Sequence, residues 1–196
     1  MIGQARGRRV LDAGCGDGVL CLRLAAAGGE VTGFDADPHM LEAARSHCDR
    51  SGTSVAFVEG DIQALPFADN SFDVVVAVTV LCFVKDAERA VHEMARVLRS
   101  GGRLVIGELG RYSLWAAERR LAGWFGSPTW RNGVFRSAGE LEQLANVAGL
   151  HVARVRGSIY YPPCNLCARW LAPLDRRFAK VAIIGADFIV LAADKR

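Results

Sequence analysis

The stretch LDAGCGDG, residues 11–18, follows a short apolar run and places glycines at positions 14, 16 and 18. A buried strand that leads through glycines into a helix forms a compact binding loop. Residues without side chains let a ligand approach the backbone closely, and the start of the helix offers free N–H groups. This feature predicts an α/β fold whose first strand ends at a ligand-binding loop.

The spacing of these glycines excludes two common phosphate-binding loops. A P-loop would continue with Gly-Lys-Ser/Thr, and no such tripeptide follows. The dinucleotide pattern GxGxxG would need a third glycine at position 19, which is Val19. The pattern present is GxGxG, with Asp12 just before it. A carboxylate at this point would repel a pyrophosphate and would suit an ammonium group.

Short apolar runs alternate with amphipathic segments along the first 109 residues, which predicts a parallel, doubly wound sheet. The pattern predicts strands at 8–13, 30–35, 54–60, 72–80 and 103–109, and helices at 19–28, 37–49 and 86–99. Asp37 and Pro38 are typical of the cap and first residue of a helix. The tail predicts a helix at 138–148 and strands at 150–157 and 185–194. No helix is evident between these two strands, which favours an antiparallel edge pair.

Three acidic residues stand at the ends of the first three predicted strands: Asp12, Asp35 and, just past the third strand, Asp61. Because the carboxyl ends of parallel strands meet at one edge of the sheet, we expect these side chains near the glycine loop. Asp35 stands where an acid binds ribose hydroxyls, and Asp61 with Ile62 is placed to bracket an adenine. The predicted ligand is therefore a nucleoside with a cationic tail that lacks phosphate.

The chain resembles the class I S-adenosylmethionine (SAM)-dependent methyltransferases, in particular the broad type 11 small-molecule group that includes quinone-biosynthesis methyltransferases. Four stretches carry the resemblance over about residues 9–109: VLDAGCGDG, VTGFDADPHML, VEGDIQALPFADNSFDVVVAVTVL and EMARVLRSGGRLVIGE. It implies SAM as the cofactor. It also implies a Rossmann-like, doubly wound, seven-stranded and mostly parallel sheet with an antiparallel last strand.

The resemblance also implies which residues hold the cofactor. The methionine part would lie along Asp12, Ala13, Gly14, Cys15 and Gly16, with Val78 beside it near the end of the fourth strand. Asp35 and Ala36 would hold the ribose, and Asp61 and Ile62 would flank the adenine. The alternative interpretation of Asp35 and Asp61 is that they cap a helix or a turn.

The sequence departs from the family in two places. Relatives usually have several dozen residues before the first strand, which cover the cofactor, and here only about eight precede it. We therefore expect an open site, or one covered by residues 110–135 or by a second subunit. Cys82 stands where relatives often have His or Glu, and its alternative interpretation is a packed thiol.

Length and composition favour one domain over residues 1–196, with a cofactor half at about 1–109 and substrate or cap elements at about 110–180. No apolar run reaches the roughly 18 residues of a membrane span, and the N-terminus lacks the apolar core of a signal peptide. We expect a cytoplasmic monomer or homodimer. Cys164 and Cys167 form a CxxC without a second ligand pair, so we expect reduced thiols and no metal site.

Charge divides the chain into two parts. Residues 1–108 hold 11 basic and 15 acidic side chains, a net charge of −4, whereas residues 109–180 hold 11 basic and 4 acidic ones, a net charge of +7. This second part is also rich in aromatic residues. It is interpreted either as a solvated arginine face over a small aromatic core, or as the binding site for an anionic group.

We predict a small acceptor, apolar or aromatic, that bears an acidic group. The candidate substrate residues are Arg111, Trp115, Tyr160 and Tyr161. The spacing of Leu114, Ala117, Leu121 and Trp124 predicts an amphipathic helix that acts as a mobile cap. No catalytic residue is assigned.

Two other classes of function stay open: a nucleic-acid or protein methyltransferase, and a SAM-binding protein without catalytic activity. Amino methylation of adenine or cytosine would call for an NPPY-type tetrapeptide after the fourth strand, where AVTV stands instead. Nucleic acid is therefore not expected as a partner.

Overall fold

The computed structural model describes residues 3–160 and 183–196. Within these ranges the chain forms seven strands and five helices. In chain order they are β1 (Arg9–Ala13), α1 (Val19–Ala26), β2 (Glu30–Asp35), α2 (Pro38–Ser51), β3 (Ala56–Glu59), β4 (Phe72–Val78), α3 (Ala87–Val97), β5 (Leu98–Leu109), α4 (Leu114–Trp124), α5 (Ala138–Val147), β6 (Leu150–Ser158) and β7 (Phe188–Lys195).

The strands form one sheet in the order β3-β2-β1-β4-β5-β7-β6. The first five pair in parallel, and β7 pairs antiparallel with both β5 and β6. This arrangement confirms the predicted Rossmann-like sheet and its antiparallel edge pair. The direction of winding reverses between β1 and β4, so the carboxyl ends of these two strands flank a crevice where ligands bind in open α/β sheets.

The central strand β4 explains why an unbroken apolar run marks the middle of the sheet. Val74 and Val76 pack into the core on one face, and Val75 and Ala77 pack into the core on the other. A strand covered by helices on both faces has no polar side, unlike a half-exposed strand. Helix α2 begins as predicted, because the Asp37 carboxylate accepts the His39 N–H at 2.9 Å.

Helix α4 is confirmed, but the prediction of its packing face is wrong. Leu114, Ala117, Leu121 and Trp124 all face solvent, with Leu121 52% and Trp124 87% exposed. The buried face instead carries Ala116 and Arg119. Arg119 forms a bidentate ion pair with Asp187, just before β7, and its guanidinium lies over the rings of Trp115 and Trp130. The ion pair fixes the rotation of the helix and turns the apolar stripe outward.

The cysteines of the described residues are buried free thiols at positions 15, 21, 48 and 82, as expected. Cys164 and Cys167 lie outside the described residues. Within the described ranges no three His, Cys, Asp or Glu side chains are grouped as metal ligands would be. None of the helices in these ranges is long and apolar enough to cross a bilayer.

We predict that Asp187→Ala lowers the free energy of unfolding by about 3 kcal/mol, because it leaves the Arg119 guanidinium buried without a counter-charge. Arg119 and Asp187 are only 16% and 5% exposed. The matched control is Asp194→Ala, which breaks an Arg103–Asp194 pair whose partners are both more than a third exposed. It should cost less than about 1 kcal/mol in urea denaturation. Equal losses in the two variants would contradict this account of α4.

Candidate active site

The glycine loop between β1 and α1 lies at the carboxyl edge of the sheet, beside the crevice. Its glycines at 14, 16 and 18 all have positive φ. A Cβ on Gly14 would overlap the side chain of Val80, and a Cβ on Gly18 would lie 2.9 Å from that of Ala44. Both the backbone conformation and the close approach of neighbours therefore require glycine here.

Hydrogen bonds join this loop to the end of β2. The amides of Gly14 and Cys15 donate to the Phe34 carbonyl at 2.6 and 3.0 Å. The Gly16 amide donates to one carboxylate oxygen of Asp35 at 2.8 Å, and the Asp37 amide donates to the other at 3.0 Å. Asp35 thus holds the loop and the start of α2 together.

A cavity of about 810 Å³ opens in front of the glycine loop. Its wall contains eight of the ten residues predicted to hold the cofactor: Gly14, Cys15, Gly16, Asp35, Ala36, Asp61, Ile62 and Val78. The other two, Asp12 and Ala13, are buried beneath the loop and do not line the cavity. Asp12 accepts a hydrogen bond from the Cys21 thiol at 3.2 Å.

The polar groups on the wall are mostly acidic. Asp35, Asp37 and Asp61 line the cavity together with one cation, Lys85. The backbone and side-chain amides of Gln63 donate to the Asp61 carboxylate and hold its pKa below the ordinary range. Asp61 is therefore ionised at neutral pH. This charge set disfavours a phosphate and favours a neutral or cationic ligand.

The loop after β4 forms the apolar part of the wall, and sequence reasoning missed most of it. Thr79, Val80, Phe83 and Val84 line the cavity alongside Val78. Thr79 has a φ of +57°. Such a value is rare for a β-branched residue, and residues with strained backbones cluster at functional sites.

The carboxylate of Glu108, in β5, accepts hydrogen bonds from this loop, and Glu108 is 1% exposed. Its burial raises its pKa. In the sequence, the available signal for Glu108 was that an acidic residue stands inside the apolar run LVIGEL.

The candidate substrate residues that the structure describes, Arg111, Trp115 and Tyr160, do not line this cavity. Arg111 donates to the Phe135 carbonyl at 2.9 Å and forms an ion pair with Glu140 at 2.8 Å. Trp115 lies against the Arg119 guanidinium, and Tyr160 is half-buried against the main core. Tyr161 lies outside the described residues. The assignment of these four residues to the acceptor stays a prediction.

The part of the chain that forms the glycine loop and its flanking strands matches a known family. Residues 11–106 match the family described as methyltransferase domain. The ubiquinone biosynthesis O-methyltransferase of Alkalilimnicola ehrlichii is 32% identical over 169 residues, which cover 82% of this chain and 68% of that protein. The demethylmenaquinone methyltransferase of Thermus thermophilus is 44% identical over 101 residues, which cover 50% of this chain and 46% of the relative.

Solved structures share the fold over almost the whole chain. A SAM-dependent methyltransferase from Thermotoga maritima, described as a possible histamine N-methyltransferase, has a TM-score of 0.75 at 26% identity and covers 96% of this chain and 82% of its own. Magnesium protoporphyrin IX methyltransferase from Synechocystis, with bound S-adenosylhomocysteine, has a TM-score of 0.71 at 19% identity, covering 99% and 77%. The second likeness concerns the fold alone. The chain belongs to the SAM-dependent methyltransferases, and its cofactor is SAM.

Proposed function

We propose that this enzyme transfers the methyl group of SAM to a small aromatic or apolar acceptor that bears an acidic group, in the cavity in front of the glycine loop. The observation that carries the proposal is the convergence of eight predicted cofactor residues on one cavity wall. The ubiquinone biosynthesis O-methyltransferases among the relatives support a small aromatic acceptor.

The residues of the cavity fit SAM. The two oxygens of Asp35 each accept one backbone N–H, which leaves lone pairs for ribose hydroxyls. Asp61 and Ile62 offer an acceptor and an apolar surface for the adenine, and the backbone of Gly14–Gly16 leaves room for the methionine part. The predominance of carboxylates suits a ligand whose tail carries an ammonium and a sulfonium group.

SAM supplies a methyl group that its sulfonium already activates, so the protein's main task is alignment. Holding donor and acceptor in line can lower a barrier by several kcal/mol. Val78, Val80 and Phe83 form an apolar wall of the cavity. We assign no catalytic base. We place the acceptor on the side of the loop after β4, with Arg111, Trp115, Tyr160 and Tyr161 as proposed acceptor residues.

Further parts of the proposal concern organisation and partners. We propose a single domain over residues 1–196, with the cofactor half at about 1–109 and acceptor elements at about 110–180, in a cytoplasmic monomer or homodimer. Nucleic acid is not proposed as the acceptor, because AVTV stands after the fourth strand in place of an NPPY-type tetrapeptide. A methyl-transfer assay separates an enzyme acting on small molecules from one acting on protein.

Asp12 links the cofactor site to stability. Its side chain is 2% exposed, and burial raises its pKa to about 6, with a smaller opposing contribution from the Cys21 thiol and a further rise from the charge of Asp35. The folded protein therefore holds this proton more tightly than the unfolded chain, whose Asp12 has its ordinary pKa of 3.8. Stability is lost as the pH rises from about 4 to about 6, and the loss persists above that range.

We predict that Asp12→Asn removes this loss. One pKa unit corresponds to about 1.4 kcal/mol. The free energy of unfolding of the variant, relative to that of the wild type, should therefore rise by about 3 kcal/mol between pH 4 and 6.5 and should rise no further at higher pH. Urea denaturation of both proteins without SAM, at pH 4.5, 5.5 and 7.5, measures the difference. A difference that does not change with pH would show that Asp12 is not a strained carboxylate.

We predict that Asp35→Ala raises the dissociation constant of SAM by about 5- to 150-fold, which corresponds to the roughly 1–3 kcal/mol of lost charge-assisted hydrogen bonds. Calorimetry measures binding, and Asp35→Asn separates the charge from the bond to the Gly16 amide. Asp17→Ala is the control, because Asp17 is an acid of the same loop that does not line the cavity. Tight NADH binding without SAM binding would refute the cofactor site.

We predict that the enzyme prefers an acidic acceptor and that Arg111→Ala reduces this preference about tenfold. The expected loss lies at the low end for a charge-assisted bond because Arg111 must first release Glu140. The comparison uses kcat/KM for 3,4-dihydroxybenzoate and for catechol, a matched pair with and without a carboxylate. Lys85→Ala is the parallel variant, since Lys85 is the cation on the cavity wall. A preference that disappears in that variant and persists in Arg111→Ala would contradict the role of Arg111.

A further inference from the structure

Glu108 is a buried acid at the carboxyl end of β5 that neither lines the cavity nor forms one of the ion pairs described above. One oxygen of its carboxylate accepts the Val80 amide at 3.0 Å and the Leu81 amide at 2.7 Å. A buried carboxylate is costly unless its oxygens are hydrogen-bonded or paired. Two successive residues of the loop after β4, residues 79–84, thus depend on one side chain.

The rest of this loop is tethered at its backbone. The Thr79 amide donates to the Gly107 carbonyl at 2.7 Å, next to Glu108. Arg136 donates to the Leu81 carbonyl at 2.7 Å, and the Val134 amide donates to the Cys82 carbonyl at 2.9 Å. A β-branched residue with positive φ, as at Thr79, persists only where its surroundings over-determine the backbone. The hydrogen bonds from the Val80 and Leu81 amides to Glu108 are part of that constraint.

The position of this loop decides the shape of the cavity. Thr79, Val80, Phe83 and Val84 lie on the cavity wall, and the side chain of Val80 fills the space where a Cβ of Gly14 would otherwise lie. The backbone amide that Glu108 binds therefore belongs to the residue that touches the glycine loop. A shift of Val80 would change both walls of the cavity together.

We propose that Glu108 is a positioning residue of the methyl-transfer site, which fixes the loop after β4 against the glycine loop through the amides of Val80 and Leu81. It acts without touching cofactor or acceptor. The inference rests on the proposed function of the cavity as the SAM site.

Three substitutions of Glu108 separate geometry from charge. Glu108→Gln keeps a carbonyl oxygen for both amides, Glu108→Asp keeps the charge but shortens the reach, and Glu108→Leu removes the acceptor. Asp73→Leu is the matched control. Asp73 is also a buried carboxylate that accepts a backbone amide, that of Arg9 at 2.7 Å, but it lies at the opposite, amino-terminal end of β4.

Hydrogen exchange tests whether Glu108 holds the loop, independently of any ligand. The amides of Val80 and Leu81 should be protected in the wild type and in Glu108→Gln. They should exchange at least tenfold faster in Glu108→Leu, and their exchange should not change in Asp73→Leu beyond the overall loss of stability. Equal protection of these two amides in Glu108→Leu and the wild type would overturn the proposal.

Calorimetry with SAM then tests the consequence for the site. We expect the dissociation constant to rise less than threefold in Glu108→Gln, about fivefold in Glu108→Asp and at least tenfold in Glu108→Leu, with less than a twofold change in Asp73→Leu. Exchange protection that is lost while SAM affinity stays within twofold would overturn the positioning role and leave only a structural one.

Two outcomes remain distinct from these. If Glu108→Leu does not fold, Glu108→Asp decides: weaker SAM binding than in Glu108→Gln supports a geometric role, and equal or tighter binding overturns it. If the wild type itself does not bind SAM, the proposed function fails. The exchange rates of the Val80 and Leu81 amides still show whether Glu108 positions the loop. If substitution of Glu108 does not speed their exchange, that claim is overturned separately.

Discussion

The loops after β1 and β4 can pack against each other at the carboxyl edge of the sheet because residue 14 is a glycine, which has no side chain. Val80 occupies the space that a Cβ there would need, so the loop after β4 can rest on the loop after β1. The same glycine loop donates two amides to the Phe34 carbonyl and one to the Asp35 carboxylate, which ties it to the end of β2. Three strand ends are thus held around one cavity, and any side chain at position 14 would separate them.

Features that depend on neighbours in sequence could be predicted from the sequence. The apolar run of β4 marks a strand covered on both faces, and Asp37 before Pro38 marks the start of α2. The acids Asp35 and Asp61 follow their strands, so the parallel arrangement alone brings them to the same edge. Pattern, cap and switch-point rules agree here, and such agreement is what makes a local prediction dependable.

Features that depend on distant partners could not be predicted in this way. The apolar stripe of α4 suggested its buried face, but Arg119 pairs with Asp187, 68 residues away, and the bidentate bond turns the stripe outward. Glu108 accepts hydrogen bonds from the amides of Leu81 and Val80, 27 and 28 residues earlier. Every residue type except proline has a backbone amide, so the sequence does not indicate which amides it binds. In α4 a buried charge and its partner override the preference of an apolar surface, because an unpaired buried charge costs more than a few exposed apolar side chains.

The ion pairs change how the positive charge of residues 109–180 is interpreted. Of the basic residues after β5, Arg119 is neutralised by Asp187, Arg111 by Glu140, and Arg136 binds the Leu81 carbonyl. These three arginines are therefore held by partners within the described residues and are not free to bind a polyanion. The acids near the glycine loop are less compensated, since Asp35, Asp37 and Asp61 share the cavity wall with Lys85. A cationic donor is attracted to such a wall by its charge, and the cation that the described wall itself offers to an acidic acceptor is Lys85.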